Sequence, residues 1–245
     1  MSQKPRRKSI LDMYHIIIRG NNKEFIFTNN YLKSALIKYL QVKLEDSQIE
    51  IYAYCIMSNH LHLLLKGKLI EIADFMKEVE RAFAHYYNKK NDRVGHVFQG
   101  RYKSECIDNE AYFWSCFRYI HLNPVKASIV KNMIEYRYSS FKEFTDCNTI
   151  LLHPNSFKLL SKYFTSTTEF IKFHEIKSDN IFIDVEEDML ISKKEIVNRK
   201  VIDIMNIHSL SDINQIITSK SLKLELVEMV QSVCDVSKAE IIRLI

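Results

Sequence analysis

Two histidines separated by one residue, His60 and His62, are the first candidates for chemistry in this 245-residue chain. They lie in an apolar segment, HLHLLLK, whose composition is typical of a β-strand. Because alternate residues of a strand point to the same face, the two imidazoles would project together and could share one metal ion. The alternative is a pair of ordinary strand histidines on a solvated face. The apolar setting favours a site, since two polar rings there need partners.

Tyr119 and Asn123 are the second pair of candidates. They are four residues apart in the segment FRYIHLNP, which is typical of the end of a helix, so they share one helical face. Asn123 could serve as a third metal ligand while Tyr119 presents its hydroxyl group to the same site. The alternative is a half-buried tyrosine on an amphipathic helix, because the chain contains 13 tyrosines.

The strands and helices that must position these residues can be predicted from the spacing of apolar residues. Segments rich in β-branched and aromatic residues predict strands, and apolar residues three or four apart predict helices. The predicted order is a strand over 14–19, a helix over 30–46, strands over 49–57 and 60–66, a helix over 69–88, an extended segment over 97–107, and a helix from 109 to about 121 that Pro124 stops. This order predicts an α+β fold, an antiparallel sheet with covering helices in a ferredoxin-like arrangement.

Near residue 150 the mixed strand and helix pattern gives way to a mainly helical pattern, which predicts a second part of the chain. Residues 1–148 form the predicted α+β domain, and 149–245 form a helical C-terminal extension whose one strand-like segment is 181–185. The end of the chain, 222–245, resembles the start of a helix-turn-helix, with a turn at 234–236 and Ser237 as the cap of a second helix. The short second helix and the acidic charge leave DNA-binding, structural and dimerising roles open.

The charge of the chain is unevenly distributed. Residues 1–150 contain 23 Lys and Arg against 16 Asp and Glu, whereas residues 151–245 contain 12 against 14. The first part therefore has the electrostatic field to attract a polyanion, although a basic surface is also common among ordinary enzymes. Five cysteines without paired spacing indicate a reducing compartment, and no apolar run is long enough to span a bilayer, so we expect a cytoplasmic protein.

Five stretches, in their order along the chain, carry a family resemblance. They are YH with RGNN (14–15 and 19–22), NHLH (59–62), FQGRY (98–102), YIHLNPVKA (119–127) and YSS (138–140). In this order they resemble the single-tyrosine HUH transposases, and within them the REP-associated tyrosine transposases. The resemblance covers about residues 10–145.

The resemblance implies a definite reaction. His60, His62 and a polar residue near the tyrosine, here Asn123, would hold a divalent cation, Mg²⁺ or Mn²⁺. Some relatives carry Gln at the position of Asn123. Tyr119 would attack a phosphodiester of single-stranded DNA, form a 5′-phosphotyrosine and release a 3′-hydroxyl group. A second 3′-hydroxyl group would then reverse the bond and rejoin the DNA.

The expected partner is single-stranded or hairpin DNA, with a homodimer as a further expectation and no membrane. Basic residues near the motifs are the candidate phosphate contacts, namely Arg19, Arg101, Lys103, Arg118 and Lys126. Two alternatives stay open. One is a domesticated DNA-binding protein that keeps the fold without cleavage, and the other is an HUH nickase of replication or plasmid mobilisation.

Overall fold

The first part of the chain alternates strands and helices in the predicted order. A computed structural model describes residues 6–146, 148–175, 185–231 and 237–245. Its first elements are β1 (Met13–Arg19), α1 (Asn30–Glu45), β2 (Glu50–Ile56), β3 (His60–Lys66), α2 (Leu69–Lys90), β4 (Lys103–Ile107) and α3 (Glu110–Lys126). The Asn29 side chain accepts a hydrogen bond from the backbone N–H of Leu32 and so caps α1.

The four strands form one antiparallel sheet in the order β2-β3-β1-β4. β2 and β3 are joined by a hairpin, which the Met57 N–H closes by donating to the His60 carbonyl. This strand order is that of the ferredoxin-like βαββαβ arrangement, so the predicted α+β fold is confirmed.

Strand alternation divides the sheet into two buried faces. His15 on β1 lies opposite Glu105 on β4, and Arg19 on β1 lies opposite His60 on β3. Opposed residues of an antiparallel pair point to the same side, as do residues two apart. One face therefore carries these side chains together with His62. The other face is apolar, with Ile16, Ile18, Leu61, Leu63 and Leu65 all buried.

The extended segment predicted over 97–107 is strand only in its second half. Phe98 forms an isolated bridge with Gly20, and β4 begins at Lys103. Between them Gly100 has a φ of 70°, a left-handed conformation that interrupts a strand and that glycine adopts without strain. The glycine thus turns the chain between the two extended pieces.

The prediction that Pro124 stops the third helix was wrong. α3 continues to Lys126 with Pro124 inside it. Proline removes one backbone donor from a helix. Here the side-chain amide nitrogen of Asn123 donates to the Tyr119 carbonyl at 3.1 Å, which adds a hydrogen bond next to the proline. The proline removes one hydrogen bond only two residues before the helix ends, so it does not prevent the last turn from forming.

Three further helices extend the first part of the structure: α4 (Phe141–Asp146), α5 (Pro154–Tyr163) and α6 (Thr167–Glu175). They pack on α3 through an aromatic cluster that includes Trp114, Phe117, Phe144, Phe170 and Phe173. Aromatic pairs at these separations stabilise by more than their buried area alone.

The described residues group into two compact units. The first contains 6–123 and the described part of 133–175, and the second contains 124–132, 185–231 and 237–245. This grouping does not coincide with the boundary predicted at residues 148 and 149. The assignment of DNA processing to one segment and an accessory role to the other stays a prediction.

The second unit is helical where it is described. Its helices are α7 (Val185–Ile207), α8 (Asn214–Thr218), α9 (Lys220–Gln231) and α10 (Lys238–Leu244). They enclose an apolar core that includes Val197, Ile204, Ile216, Val230 and Ile241. The Ser237 side chain caps α10 by accepting from the Glu240 N–H. Residues 181–184 of the predicted strand and the predicted turn at 234–236 lie outside the described residues, while Val185 begins α7.

Glu143 in α4 holds the loop that follows it. Its carboxylate, 3 % exposed, accepts hydrogen bonds from the Tyr54 hydroxyl group at 2.6 Å and from the backbone N–H groups of Ile150, Leu151 and Leu152. A carboxylate has only acceptor sites, so it can satisfy all four donors, and each bond to a charged group is stronger than a neutral one. This one side chain therefore fixes the start of the α5–α6 segment against β2.

We expect Glu143→Gln to lower the free energy of unfolding by about 2–4 kcal/mol, because the amide nitrogen would meet buried donors. Urea denaturation followed by circular dichroism measures the change. The control is Glu24→Gln, which removes a surface ion pair with Arg93 and should cost no more than about 1 kcal/mol. Equal losses in the two variants would contradict the proposed role of Glu143.

Two buried histidines join α3 to α6. His121 Nδ1 lies 2.9 Å from His174 Nε2, His121 Nε2 lies 2.7 Å from the Ser140 hydroxyl group, and His174 Nδ1 lies 2.8 Å from the Phe170 carbonyl. Burial lowers the pKa of His174 to about 4 and the pKa of His121 well below its usual value. Both rings are therefore neutral in the folded protein near neutral pH.

The pH dependence of stability follows from these pKa values. Between about pH 4 and 6.5 the folded state binds fewer protons at His174 than the unfolded state does, so stability rises with pH and is fully present above this window. We expect the free energy of unfolding to fall by roughly 2 kcal/mol more in the wild type than in His174→Gln when the pH is lowered from 7 to 5. Parallel curves for the two proteins in urea titrations would refute this.

Candidate active site

The two histidines of the His-x-His pattern meet at the start of β3. Both His60 and His62 are fully buried, and their ring centroids are 4.6 Å apart with the planes perpendicular. His60 Nδ1 lies 2.6 Å from the Asn59 amide oxygen, so Nδ1 carries the proton of this hydrogen bond. The predicted convergence of the two imidazoles is therefore present in the fold.

A third histidine, His15, joins them from β1. Its Nε2 lies 2.9 Å from His62 Nδ1, and the two rings stack with centroids 5.1 Å apart. His15 is part of the first sequence motif, YH at 14–15, but it was not predicted as a site residue. Nothing local marks it, because its proximity to His62 arises from the register of β1 against β3, in which it lies diagonally across from His62.

Tyr119 is brought to the same place by α3. Its ring makes edge contacts with His62, at a centroid distance of 5.5 Å, and with His15, at 6.0 Å. The side chain is only 4 % exposed. Asn123, one helical turn later, is also buried and donates its amide hydrogen to the Tyr119 carbonyl. The tyrosine and the two histidines thus lie together within a single chain.

The chemistry of these side chains fits a loosely held divalent cation. Both imidazoles use Nδ1 in the hydrogen bonds described above, so Nε2 is the atom by which each would ligate a metal. Among the residues that the structure describes, no three His, Cys, Asp or Glu side chains are grouped to hold an ion by themselves. A site here therefore needs an oxygen donor of another kind, such as the Asn123 amide, and water, which suits Mg²⁺ or Mn²⁺.

The predicted DNA contacts fall in different surroundings. Arg19 is buried on the same sheet face as His60, and Lys103 is exposed at the start of β4. Arg101 is exposed just before that strand. Arg118 faces α6, where its guanidinium donates to the Phe173 carbonyl and lies 5.0 Å from the Phe173 ring. Lys126 is exposed at the end of α3, in the second unit. Contact with DNA stays a prediction for all five.

A cleft of about 670 Å³ lies between α2 and the segment before β4, and basic residues line it. Arg6 stacks over the Tyr102 ring at 3.6 Å from its centroid, and Arg101 and Lys77 are also in the lining. Burial raises the pKa of Glu80 in this cleft to about 7, although Arg6 and the Tyr102 N–H act to lower it. The cleft therefore combines cations, an aromatic face and a carboxyl group that is neutral in part near physiological pH.

A ferredoxin-like sheet with a His-x-His pair on β3 and a tyrosine on α3 is the arrangement expected of a single-tyrosine HUH transposase. Residues 9–123 match the family of IS200-like transposases, Y1_Tnp. The match begins just before β1 and ends at Asn123, so it covers the sheet, His60, His62, Tyr119 and Asn123.

Two curated relatives show which branch of these transposases the chain resembles. A REP-associated tyrosine transposase of Escherichia coli is 26% identical over 125 residues, which are 49% of this chain and 70% of that protein. A second curated relative, from Haemophilus influenzae, is 25% identical over 145 residues, 55% of this chain and 81% of its own length. The resemblance to REP-associated tyrosine transposases that the motifs indicate is therefore confirmed.

A solved structure gives the same fold. It is described as a REP-associated tyrosine transposase bound to a REP hairpin, and it matches with a TM-score of 0.51 and 20% identity, over 63% of this chain and 89% of that chain. At this identity the likeness shows the fold alone. No helix among the described residues is both long enough and apolar enough to cross a membrane.

We expect His60→Ala and His62→Ala each to weaken Mn²⁺ binding to the purified protein at least about tenfold, since removing a ligand costs no less than removing an outer partner. Asn123→Ala should have a smaller effect, because water can replace one neutral oxygen donor. Isothermal titration calorimetry measures the dissociation constants. The control is His85→Ala, an exposed histidine of α2. Binding unchanged in both β3 variants would remove these histidines as ligands.

Proposed function

We propose that this chain is a transposase that cleaves and rejoins single-stranded DNA through Tyr119. The observation that supports the proposal is the packing of the Tyr119 ring against His62, because a tyrosine beside the histidine pair is the type of side chain that this reaction needs. The match of residues 9–123 to IS200-like transposases supports it, as does the likeness to the Escherichia coli relative.

Tyr119 acts as the nucleophile in this mechanism. Its oxygen bonds to the phosphorus of a phosphodiester, and the bond between phosphorus and the 3′ oxygen breaks. The phenol loses its proton, and the departing 3′ oxygen gains one to become a hydroxyl group. The 5′ end stays on the enzyme as a phosphotyrosine, which preserves the energy of the broken bond. Attack by a second 3′-hydroxyl group reverses these changes and rejoins the DNA without added energy.

The surrounding residues hold the reacting groups in place. His60, His62 and Asn123 are the proposed ligands of a Mg²⁺ or Mn²⁺ ion, which when bound withdraws charge from the phosphoryl oxygens and makes attack by a weakly nucleophilic phenol easier. Asn59 fixes the orientation of the His60 ring. Because these side chains are buried, electrostatic interactions among them are stronger than they would be in water.

DNA must reach a tyrosine that is almost fully covered. Because Tyr119 is only 4 % exposed, we expect DNA binding to be accompanied by a local movement of α3 or of the residues around it. The exposed cations Arg101 and Lys103 lie on the segment leading into β4 and are the proposed first contacts with the DNA backbone. Unpaired bases could stack in the adjacent cleft, where Tyr102 already accepts a planar guanidinium.

The substrate that fits the proposed cleavage reaction is single-stranded DNA next to a hairpin. The solved relative is described as bound to a REP hairpin, and we extend a ligand of that kind to this chain. A second candidate function, a DNA-binding protein of the same fold without cleavage activity, is favoured by one observation, the burial of Tyr119. The two functions differ in whether a covalent adduct forms.

We expect the purified protein, incubated with Mn²⁺ and hairpin-forming oligonucleotides from the DNA flanking its own gene, to form an adduct that survives denaturing electrophoresis. Tyr119→Phe should abolish the adduct, because phenylalanine has no oxygen to bond to phosphorus. The control is Tyr52→Phe, a tyrosine of similar burial on β2, which should form the adduct normally. An adduct in Tyr119→Phe would exclude Tyr119, and DNA binding without any adduct would favour the non-cleaving alternative.

A further inference from the structure

A carboxylate and two imidazoles form a line across three strands of the sheet. Glu105 on β4 is the register partner of His15 on β1, and His15 lies diagonally across from His62 on β3. The Glu105 Oε2 atom is 3.5 Å from His15 Nδ1, and His15 Nε2 is 2.9 Å from His62 Nδ1. All three side chains therefore face one another on the side of the sheet that carries the histidine pair.

The charge of the Glu105 carboxylate determines which nitrogen of each imidazole carries the proton. A carboxylate repels the lone pair of a nitrogen facing it and attracts an N–H, so Glu105 favours the proton of His15 on Nδ1. The His15 Nε2 atom then has a lone pair and must accept in the 2.9 Å hydrogen bond. His62 therefore carries its proton on Nδ1, and its Nε2 has the lone pair that a metal ligand requires.

The carboxylate is itself anchored by the helix that carries the tyrosine. Glu105 is hydrogen-bonded to the Tyr112 hydroxyl group, and burial together with this carboxylate raises the Tyr112 pKa. Tyr112 and Tyr119 are seven residues apart on α3, so they lie on the same helical face. The contact with Glu105 and the packing of Tyr119 on His62 thus involve one face of α3.

We propose that Glu105 and His15 are positioning residues that fix the tautomer and orientation of the His62 ring for metal binding. This rests on the proposed function, in which His62 is a ligand. Histidine ligands generally donate their second ring N–H to an acceptor, and removing such an acceptor lowers metal affinity by about 10- to 100-fold. Here the acceptor is His15 Nε2, to which the Glu105 carboxylate leaves a lone pair by holding the His15 proton on Nδ1.

The tautomer can be read directly in the absence of metal. We expect the ¹⁵N NMR spectrum of ring-labelled protein at pH 8 to show His62 protonated on Nδ1 in the wild type. In Glu105→Gln, the uncharged amide no longer distinguishes the two His15 tautomers, so His62 should become a mixture. A wild-type His62 protonated on Nε2, or an unchanged spectrum in the variant, overturns the proposal.

Metal affinity provides the second readout. Glu105→Gln should raise the Mn²⁺ dissociation constant about tenfold, and His15→Phe, which keeps a ring of similar size, should raise it at least as much. The matched control is Glu50→Gln on β2. The Glu50 side chain has the same 23% exposure as Glu105 and likewise faces a histidine, His153, at 3.8 Å. It should bind Mn²⁺ within about twofold of the wild type, with thermal unfolding recorded for every variant.

The possible outcomes distinguish the positioning role of Glu105 and His15 from the metal site itself. If His60→Ala and His62→Ala abolish Mn²⁺ binding while Glu105→Gln and His15→Phe bind like the wild type, the positioning role is wrong and the metal site stands. If the wild type binds no Mn²⁺, both the metal site and the positioning role are refuted. Weakening in Glu105→Gln that Glu50→Gln reproduces would show a general effect of charge on the sheet and would equally refute the role of Glu105.

Discussion

The register of β1 between β3 and β4 is the constraint on which the site depends. Side chains alternate between the faces of a sheet, so a slip of one residue would turn His15 and Arg19 away from the histidines of β3. The register is held by what lies on the opposite face, where the apolar side chains of β1 and β3 are buried. The apolar face of the sheet therefore specifies the arrangement of the polar side chains on the other face.

Burying this polar face has a cost that the fold offsets through hydrogen bonds. His15, His60 and His62 lie between the sheet and α3, where an unpaired ring nitrogen would be strongly destabilising. One nitrogen of each ring has a hydrogen-bond partner in the site: Asn59 for His60, and one another for His15 and His62. The same burial that strengthens electrostatic interactions around Tyr119 also hides it from solvent. Preorganisation of the site and access to Tyr119 are thus in opposition.

The sequence predicted the features that depend on local pattern. The order of the first seven elements and the shared helical face of Tyr119 and Asn123 follow from periods of two and of three to four residues. His15 and Glu105 were not predicted as site residues, because they meet across strands that are distant in sequence. The path of α3 past Pro124 was also missed, because proline weakens a helix but does not forbid it two residues before the helix ends.

The position of Tyr119 also depends on residues beyond the segment that matches the transposase family. The match ends at Asn123, yet α3 is braced by helices that follow it in the sequence. His174 of α6 is hydrogen-bonded to His121, two residues after the tyrosine, and Phe170 packs on Phe117, two residues before it. Glu143 in turn secures the loop that leads to these helices. The segment after the family match is therefore part of the framework that positions Tyr119, and changes there can alter the site without contacting it.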